Sequence, residues 1–152
     1  MKVLSIAIPC FNSAEYMRKC IDSLLVGKDD VEILIVNDGS NKDDTAKIAD
    51  EYEKKYPTIC KAIHKENGGH GDAVMFGLRA ATGEFFKVVD SDDYLDKKSF
   101  LEVLNKLKEF IRDKENIDML LCNFVYDKVG VKKKKVMTYK RNFCLLYTSD
   151  AA

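Results

Sequence analysis

The chain has 152 residues, the size of one ordinary domain and enough to bury a core by itself. Its 25 Lys and Arg balance 25 Asp and Glu, and 46% of residues are hydrophobic, which excludes a nucleic-acid-binding polycation and a disordered polyampholyte. The balance hides an asymmetry: seven basic residues and two acids fall between Asp127 and Ala152, so the first 126 residues carry 18 basic against 23 acidic ones.

Val3 to Ile8 is an aliphatic run interrupted by Ser5 and ended by Pro9, and it reads as a strand. It is too short for the apolar core of a signal peptide, and no segment nears the roughly 18 apolar residues of a membrane span. The expected location is cytoplasmic, free or at the inner face of the membrane, with any membrane association supplied by downstream sequence. From Ser13, a candidate cap, Met17, Cys20, Ile21, Leu24 and Leu25 fall on one helical face, and Gly27 ends the pattern. Val31 to Val36 is the second strand, and after Asn37-Asp38-Gly39-Ser40 a helix carries Ile48, Ala49, Tyr52 and Tyr56. Ile59 to Ile63 is the third strand and leads into the glycine-rich Asn67 to Gly71.

A helix through Val74, Leu78 and Ala81 follows, closed by Gly83, and Phe85 to Val89 is the fourth strand. Ser99 with Glu102 forms a capping-box pattern for a helix that turns Phe100, Leu104, Leu107 and Ile111 inward, and Met119 to Tyr126 is the fifth strand. Strands apolar throughout, separated by amphipathic helices, specify an α/β fold with a mainly parallel sheet and flanking helices. The five cysteines, Cys10, Cys20, Cys60, Cys122 and Cys144, are odd in number and lack C-x-x-C spacing, so buried reduced thiols are expected.

In such a sheet ligands bind at the carboxyl ends of the strands. Asp90-Ser91-Asp92 follows the fourth strand, and residues two apart on an extended strand point the same way, so both carboxylates would face one side. Two converging carboxylates invite a hard divalent cation whose open positions a substrate diphosphate fills; Asp90 to Asp93 is equally an ordinary solvated turn. Asp38 suits a hydrogen bond from a base or ribose, or a plain Asx-Gly turn, and Phe11 suits stacking on a base or the core. The glycine segment could present backbone N–H groups to an anion at a helix start, with His70 either on a ligand or in solvent. It is neither a dinucleotide fingerprint nor a P-loop. The Lys132 to Lys135 run fits an exposed hairpin or an anionic membrane surface.

Ser5 to Asn12, Glu32 to Ser40 with Asp44-Thr45, Glu66 to Gly69, and Gly83-Glu84 with Asp90 to Asp93 together resemble the family 2 inverting glycosyltransferases over about residues 3 to 96. The resemblance implies a glycosyltransferase A fold and a nucleotide-sugar donor, a UDP-sugar. Its acceptor would be a glycan or lipid-linked molecule, in the synthesis of a surface polysaccharide, glycolipid or related glycan. It places Pro9, Cys10 and Phe11 at the uracil, Glu15 near the nucleoside, Asp38 on the base, Asp90 at the ribose, and Asn12, Gly69, His70 and Ser91 in the nucleotide-sugar site. Asp92 would hold Mn2+ or Mg2+ on the diphosphate. Two departures stand out. Ala73-Val74-Met75 replaces the family's Ala-Arg-Asn, leaving His70 and Asp72 to substitute for the arginine, and no residue in view matches the general base, expected beyond the chain end.

A nucleotide-sugar-binding module without turnover is the alternative. A phosphotransferase of the haloacid dehalogenase type would need an aspartate after the first strand, where Pro9-Cys10-Phe11-Asn12 stands. Residues 1–143 are therefore expected to form the donor-binding domain. Residues 144–152 form an unmatched tail that reads like translated sequencing-adaptor read-through.

Overall fold

The computed structural model describes residues 1–126 and 135–138. The chain divides into two units, Met1–Lys114 and Glu115–Ala152. In the first, β1 (Leu4–Cys10), β2 (Val31–Asp38), β3 (Cys60–Lys65) and β4 (Phe85–Val88) form one parallel sheet in the order β3-β2-β1-β4. The register sets Leu4 beside Val31 and Phe85, and ends on Cys10 beside Asn37 and Asp38 beside Lys65.

β1 and β2 lie at the centre and are buried almost throughout, which explains their unbroken apolar runs. Around them are α1 (Met17–Leu24) with a 3-10 extension over Leu25–Asp30, α2 (Thr45–Lys55), α3 (His70–Ala80) and α4 (Lys97–Asp113). α3 packs on β1 and β2, and α2 on β3 and β2.

Several helix details differ from the sequence reading. Ser13 does not cap α1 with its side chain; its carbonyl accepts from the Tyr16 and Met17 N–H groups, while its hydroxyl accepts from the Phe11 N–H. The cap of α4 is Asp96, whose carboxylate accepts from the Ser99 N–H at 2.9 Å, three residues ahead of the predicted start. On that helix Phe110 is buried, in place of the expected Ile111. The buried residues of α3 are Ala73 and Gly77, whereas Leu78 is exposed, because the helix lies too close to β1 for large side chains.

Gly83 closes no helix. It is pressed against the Ser5 backbone, and its N–H donates to Ser5 Oγ at 2.7 Å. Ser5 Oγ donates in turn to Glu32 Oε1 at 2.5 Å, and the Thr82 N–H and hydroxyl donate to the same oxygen. Partial burial would raise the Glu32 carboxyl, but these donors hold it below its ordinary value.

Cys10, Cys20 and Cys60 are buried free thiols; burial pushes all three up, Cys20 and Cys60 to about 12. Cys122 is exposed, contrary to expectation, and Cys144 lies outside the described residues.

In the second unit, β5 (Phe124–Tyr126) pairs antiparallel with β6 (Lys135–Met137). The expected fifth parallel strand is thus a short antiparallel strand whose side chains are exposed, with no burial on either face to favour a parallel pairing. Lys135 opens β6 and is exposed; Lys132 to Lys134, Asp127 and the tail 144–152 lie outside the described residues. No helix among the described residues is long and apolar enough to cross a membrane.

A Cβ built on Gly77 falls 2.5 Å from the Ala7 Cβ on the fully buried β1, so two backbones would have to separate. Gly77→Val is therefore expected to lower the unfolding free energy in urea by about 1–3 kcal/mol. Met75→Ala, at an exposed position of the same helix, should stay within about 0.5 kcal/mol of the parent. Equal stabilities would show that α3 does not pack this closely.

Candidate functional site

At the carboxyl ends of β1, β2 and β4 a cavity of about 470 Å³ is lined by Pro9, Cys10, Phe11, Ser13, Asp38, Asn67, Gly69, His70, Ala73, Asp90, Ser91 and Asp92. Nine of the sequence-derived candidates meet there. Phe11 is 50% exposed, so its ring faces the opening and not the core, as an aromatic available for stacking must.

Asn12 and Glu15 are outside the lining. Asn12 adopts φ 50°, donates its N–H to Ser40 Oγ and accepts with Oδ1 from the Asn41 and Lys42 N–H groups, tying the turn after β1 to the turn after β2. Glu15 is exposed, and its carboxylate holds the neighbouring Tyr16 phenol above its ordinary value. Ser13, absent from the sequence-derived set, joins the same lattice: its N–H donates to Thr45 Oγ1 at 2.7 Å, and its hydroxyl meets that of Ser91 at 2.9 Å.

Asp38 is 2% exposed and hydrogen-bonded on both oxygens. Oδ1 accepts from Lys65 Nζ at 2.5 Å and the Gly68 N–H at 2.8 Å; Oδ2 accepts from the Gly69 N–H at 2.8 Å, with Asn67 Nδ2 at 3.4 Å. Burial alone would raise this carboxyl, but the Lys65 ammonium and the two glycine N–H groups hold it below its ordinary value. The hydrogen bonds to Asp38 and then Asp72 hold Lys65 above its own.

The Gly68 and Gly69 N–H groups of the glycine segment therefore serve an internal carboxylate. Asp72 is ion-paired with Lys65 at 2.7 Å and lies outside the lining, so it cannot stand in for an arginine there. Lys65 escaped the sequence reading because only the β2–β3 register sets it beside Asp38.

Across the cavity, β4 ends at Val88 and Asp90 to Asp93 form a tight turn closed by the Asp93 N–H on the Asp90 carbonyl at 2.9 Å. The strand periodicity expected for Asp90 and Asp92 is thus replaced by a turn, which still leaves both on the cavity lining. Local desolvation, and after it the charges of Asp92 and Asp90, push the Asp93 carboxyl up. His70, the first residue of α3, holds Asp90 Oδ1 with Nε2 at 2.8 Å.

The acidic turn offers a cation hard oxygen donors, which suit Mn2+ or Mg2+. No cluster of three or more His, Cys, Asp or Glu among the described residues is placed to hold a metal by itself. A cation bound there would find one or two carboxylates on the turn, its remaining coordination positions falling to water or a ligand.

Residues 5–143 match the family described as Glycosyl transferase family 2. The chain is 34% identical over 123 residues to the uncharacterized glycosyltransferase EpsJ of Bacillus subtilis, covering 80% of this chain and 34% of that protein. It is 44% identical over 109 residues to an uncharacterized glycosyltransferase of Rickettsia typhi, covering 69% of this chain and 33% of the relative. Among solved structures, S. aureus TarS in complex with UDP-GlcNAc superposes with a TM-score of 0.63 at 31% identity, over 73% of this chain and 32% of TarS. The chain thus spans about one third of the length of these two relatives.

The depressed Asp38 carboxyl sets a pH dependence of stability. A group lowered in the fold stabilises it above the unfolded value of about 4, and that contribution is lost as pH falls through the lower folded value. Urea midpoints measured from pH 7 to pH 2 are expected to fall less steeply below about 4 in Asp38→Asn than in the parent. Parallel acid limbs would mean that Asp38 is not held ionised in the fold.

Proposed function

This chain belongs to glycosyl transferase family 2, and from that premise we propose that its first unit binds the nucleotide end of a UDP-sugar. The complete protein would transfer the sugar, with inversion, to a glycan or lipid-linked acceptor of the kind used in surface polysaccharide synthesis. The observation that carries this reading is the cavity itself: an exposed aromatic, a buried ionised carboxylate and an acidic turn surround one space at the carboxyl ends of the strands. The likeness to TarS, solved with UDP-GlcNAc, supports the choice of donor.

In this reading the uracil stacks on Phe11 beside Pro9 and Cys10, and its ring N–H donates to Asp38. Asp90 faces the ribose, with Ser91 beside it. Asp92 would hold Mn2+ or Mg2+, which when bound stabilises the negative charge that develops on the departing diphosphate. The protein's own part is positioning. The lattice of Asn12, Ser13, Ser40 and Thr45 fixes the turns that carry Phe11 and Asp38, so the nucleotide meets a preformed wall.

Inverting transfer also needs a base at the acceptor hydroxyl. Asp38 is committed to its donors and Asp90 is paired with His70, so neither is assigned that role.

Calorimetry with UDP and with uridine tests the reading. UDP is expected to bind more tightly with Mn2+ by roughly tenfold or more, about 1.4 kcal/mol per factor of ten. Asp92→Asn should erase that gain while leaving uridine binding intact, and Phe11→Ala should weaken both ligands. No UDP binding in the presence of either metal would refute the assignment.

A further inference from the structure

Lys65 is the last residue of β3 and the register partner of Asp38. Its side chain is only 6% exposed, and its Nζ donates to Asp38 Oδ1, to Asp72 Oδ2 and to the Glu66 carbonyl oxygen. An ammonium has three donors, and here all three are used. Lys65 is also absent from the cavity lining, so it does not meet a ligand directly.

Its effect shows on Asp38. A carboxylate offers about four acceptor positions. Lys65 and the Gly68 N–H fill the two on Oδ1, and the Gly69 N–H fills one on Oδ2. The Asn67 approach to Oδ2 at 3.4 Å is too long to fill the fourth firmly. One acceptor position therefore remains, on Oδ2 of a residue that lines the cavity.

We propose that Lys65 is a positioning residue that determines base specificity: by saturating Oδ1 of Asp38, it leaves Oδ2 as a contact that can only accept. Such a contact admits a nucleobase with a ring N–H and rejects one with a bare ring nitrogen. Uracil presents an N–H at the position where cytosine presents a lone pair. Against a carboxylate the lone pair leaves two acceptors facing each other, desolvated and unpaired, which is the situation that yields strong discrimination. Without the ammonium, a carboxyl buried this deeply favours taking up a proton. A protonated Asp38 donates, and cytosine becomes acceptable although no group touching the base has been changed.

This inference rests on the nucleotide-site reading, and calorimetry of the full chain with UDP and CDP separates the two. The parent is expected to prefer UDP by roughly tenfold to a hundredfold, the scale of one hydrogen bond to a charged group. Lys65→Met should bring the two affinities within about threefold of each other, with Lys65→Arg restoring most of the preference. A purely structural lysine would weaken UDP and CDP equally, and that unchanged ratio would overturn the proposal. A parent that binds neither nucleotide would instead remove the nucleotide-site reading itself. Should Lys65→Met fail to fold, Lys65→Gln keeps a stem and a donor at Asp38 while removing the charge. It is expected to lower the ratio in the same direction, and a ratio equal to the parent's would count against the role of Lys65.

Discussion

The two central strands are closed to water on both faces, and that constraint dictates where the chain can keep polar chemistry. A buried polar group left without a partner costs on the order of 1–3 kcal/mol, so β1 and β2 place such groups where partners can reach them. Near the start of the strands Ser5 and Glu32 are satisfied by Thr82 and Gly83. At the other end Asn37 and Asp38 are satisfied by Ser40, His64, Lys65 and the glycine segment. Among the described residues no buried side-chain nitrogen or oxygen lacks a partner. The partners come from distant parts of the chain, so satisfying the sheet also fixes the loops that form the cavity.

Two carboxylates of the cavity are prepared in opposite ways. Asp38 sits in a cage of donors, ionised and oriented before any ligand arrives. Asp92 belongs to an exposed turn that also carries Asp90 and Asp93. Environment, and not residue type, separates a fixed hydrogen-bond acceptor from a carboxylate suited to an incoming cation.

Much of this arrangement was legible in the sequence because apolar runs and amphipathic periods follow directly from burial. The order of strands and helices, and the three strand ends that surround the cavity, come from that signal alone. What escaped was set by distances between segments. Leu78 fits a helical stripe, yet α3 buries Ala73 and Gly77 because β1 is too near for anything larger. Met119 to Tyr126 has the composition of a buried strand, but burial was inferred from the residues themselves, and the side chains of β5 are exposed. Lys65 reads as an ordinary charge at a strand end until the register sets it against Asp38. Ser13 and Ser99 have capping chemistry, but for Ser13 the neighbouring loops offered competing partners, and Asp96 had the position one turn ahead of Ser99.

The glycine segment shows how an internal charge redirects a familiar device. Backbone N–H groups at the start of a helix ordinarily favour an external anion such as a phosphate. Here the Gly68 and Gly69 N–H groups already meet the Asp38 carboxylate, and the nearby ammonium is shared between Asp38 and Asp72. Those two donors thus serve the fold's own anion. His70 is then the only residue lining the cavity that can carry positive charge, and it is engaged with Asp90. A diphosphate entering this space would meet Asp90 and Asp92 with little protein charge to offset its own, so under the proposed reading phosphate recognition falls to a cation on the acidic turn. Under that reading the glycine segment shapes the acceptor that would meet the base.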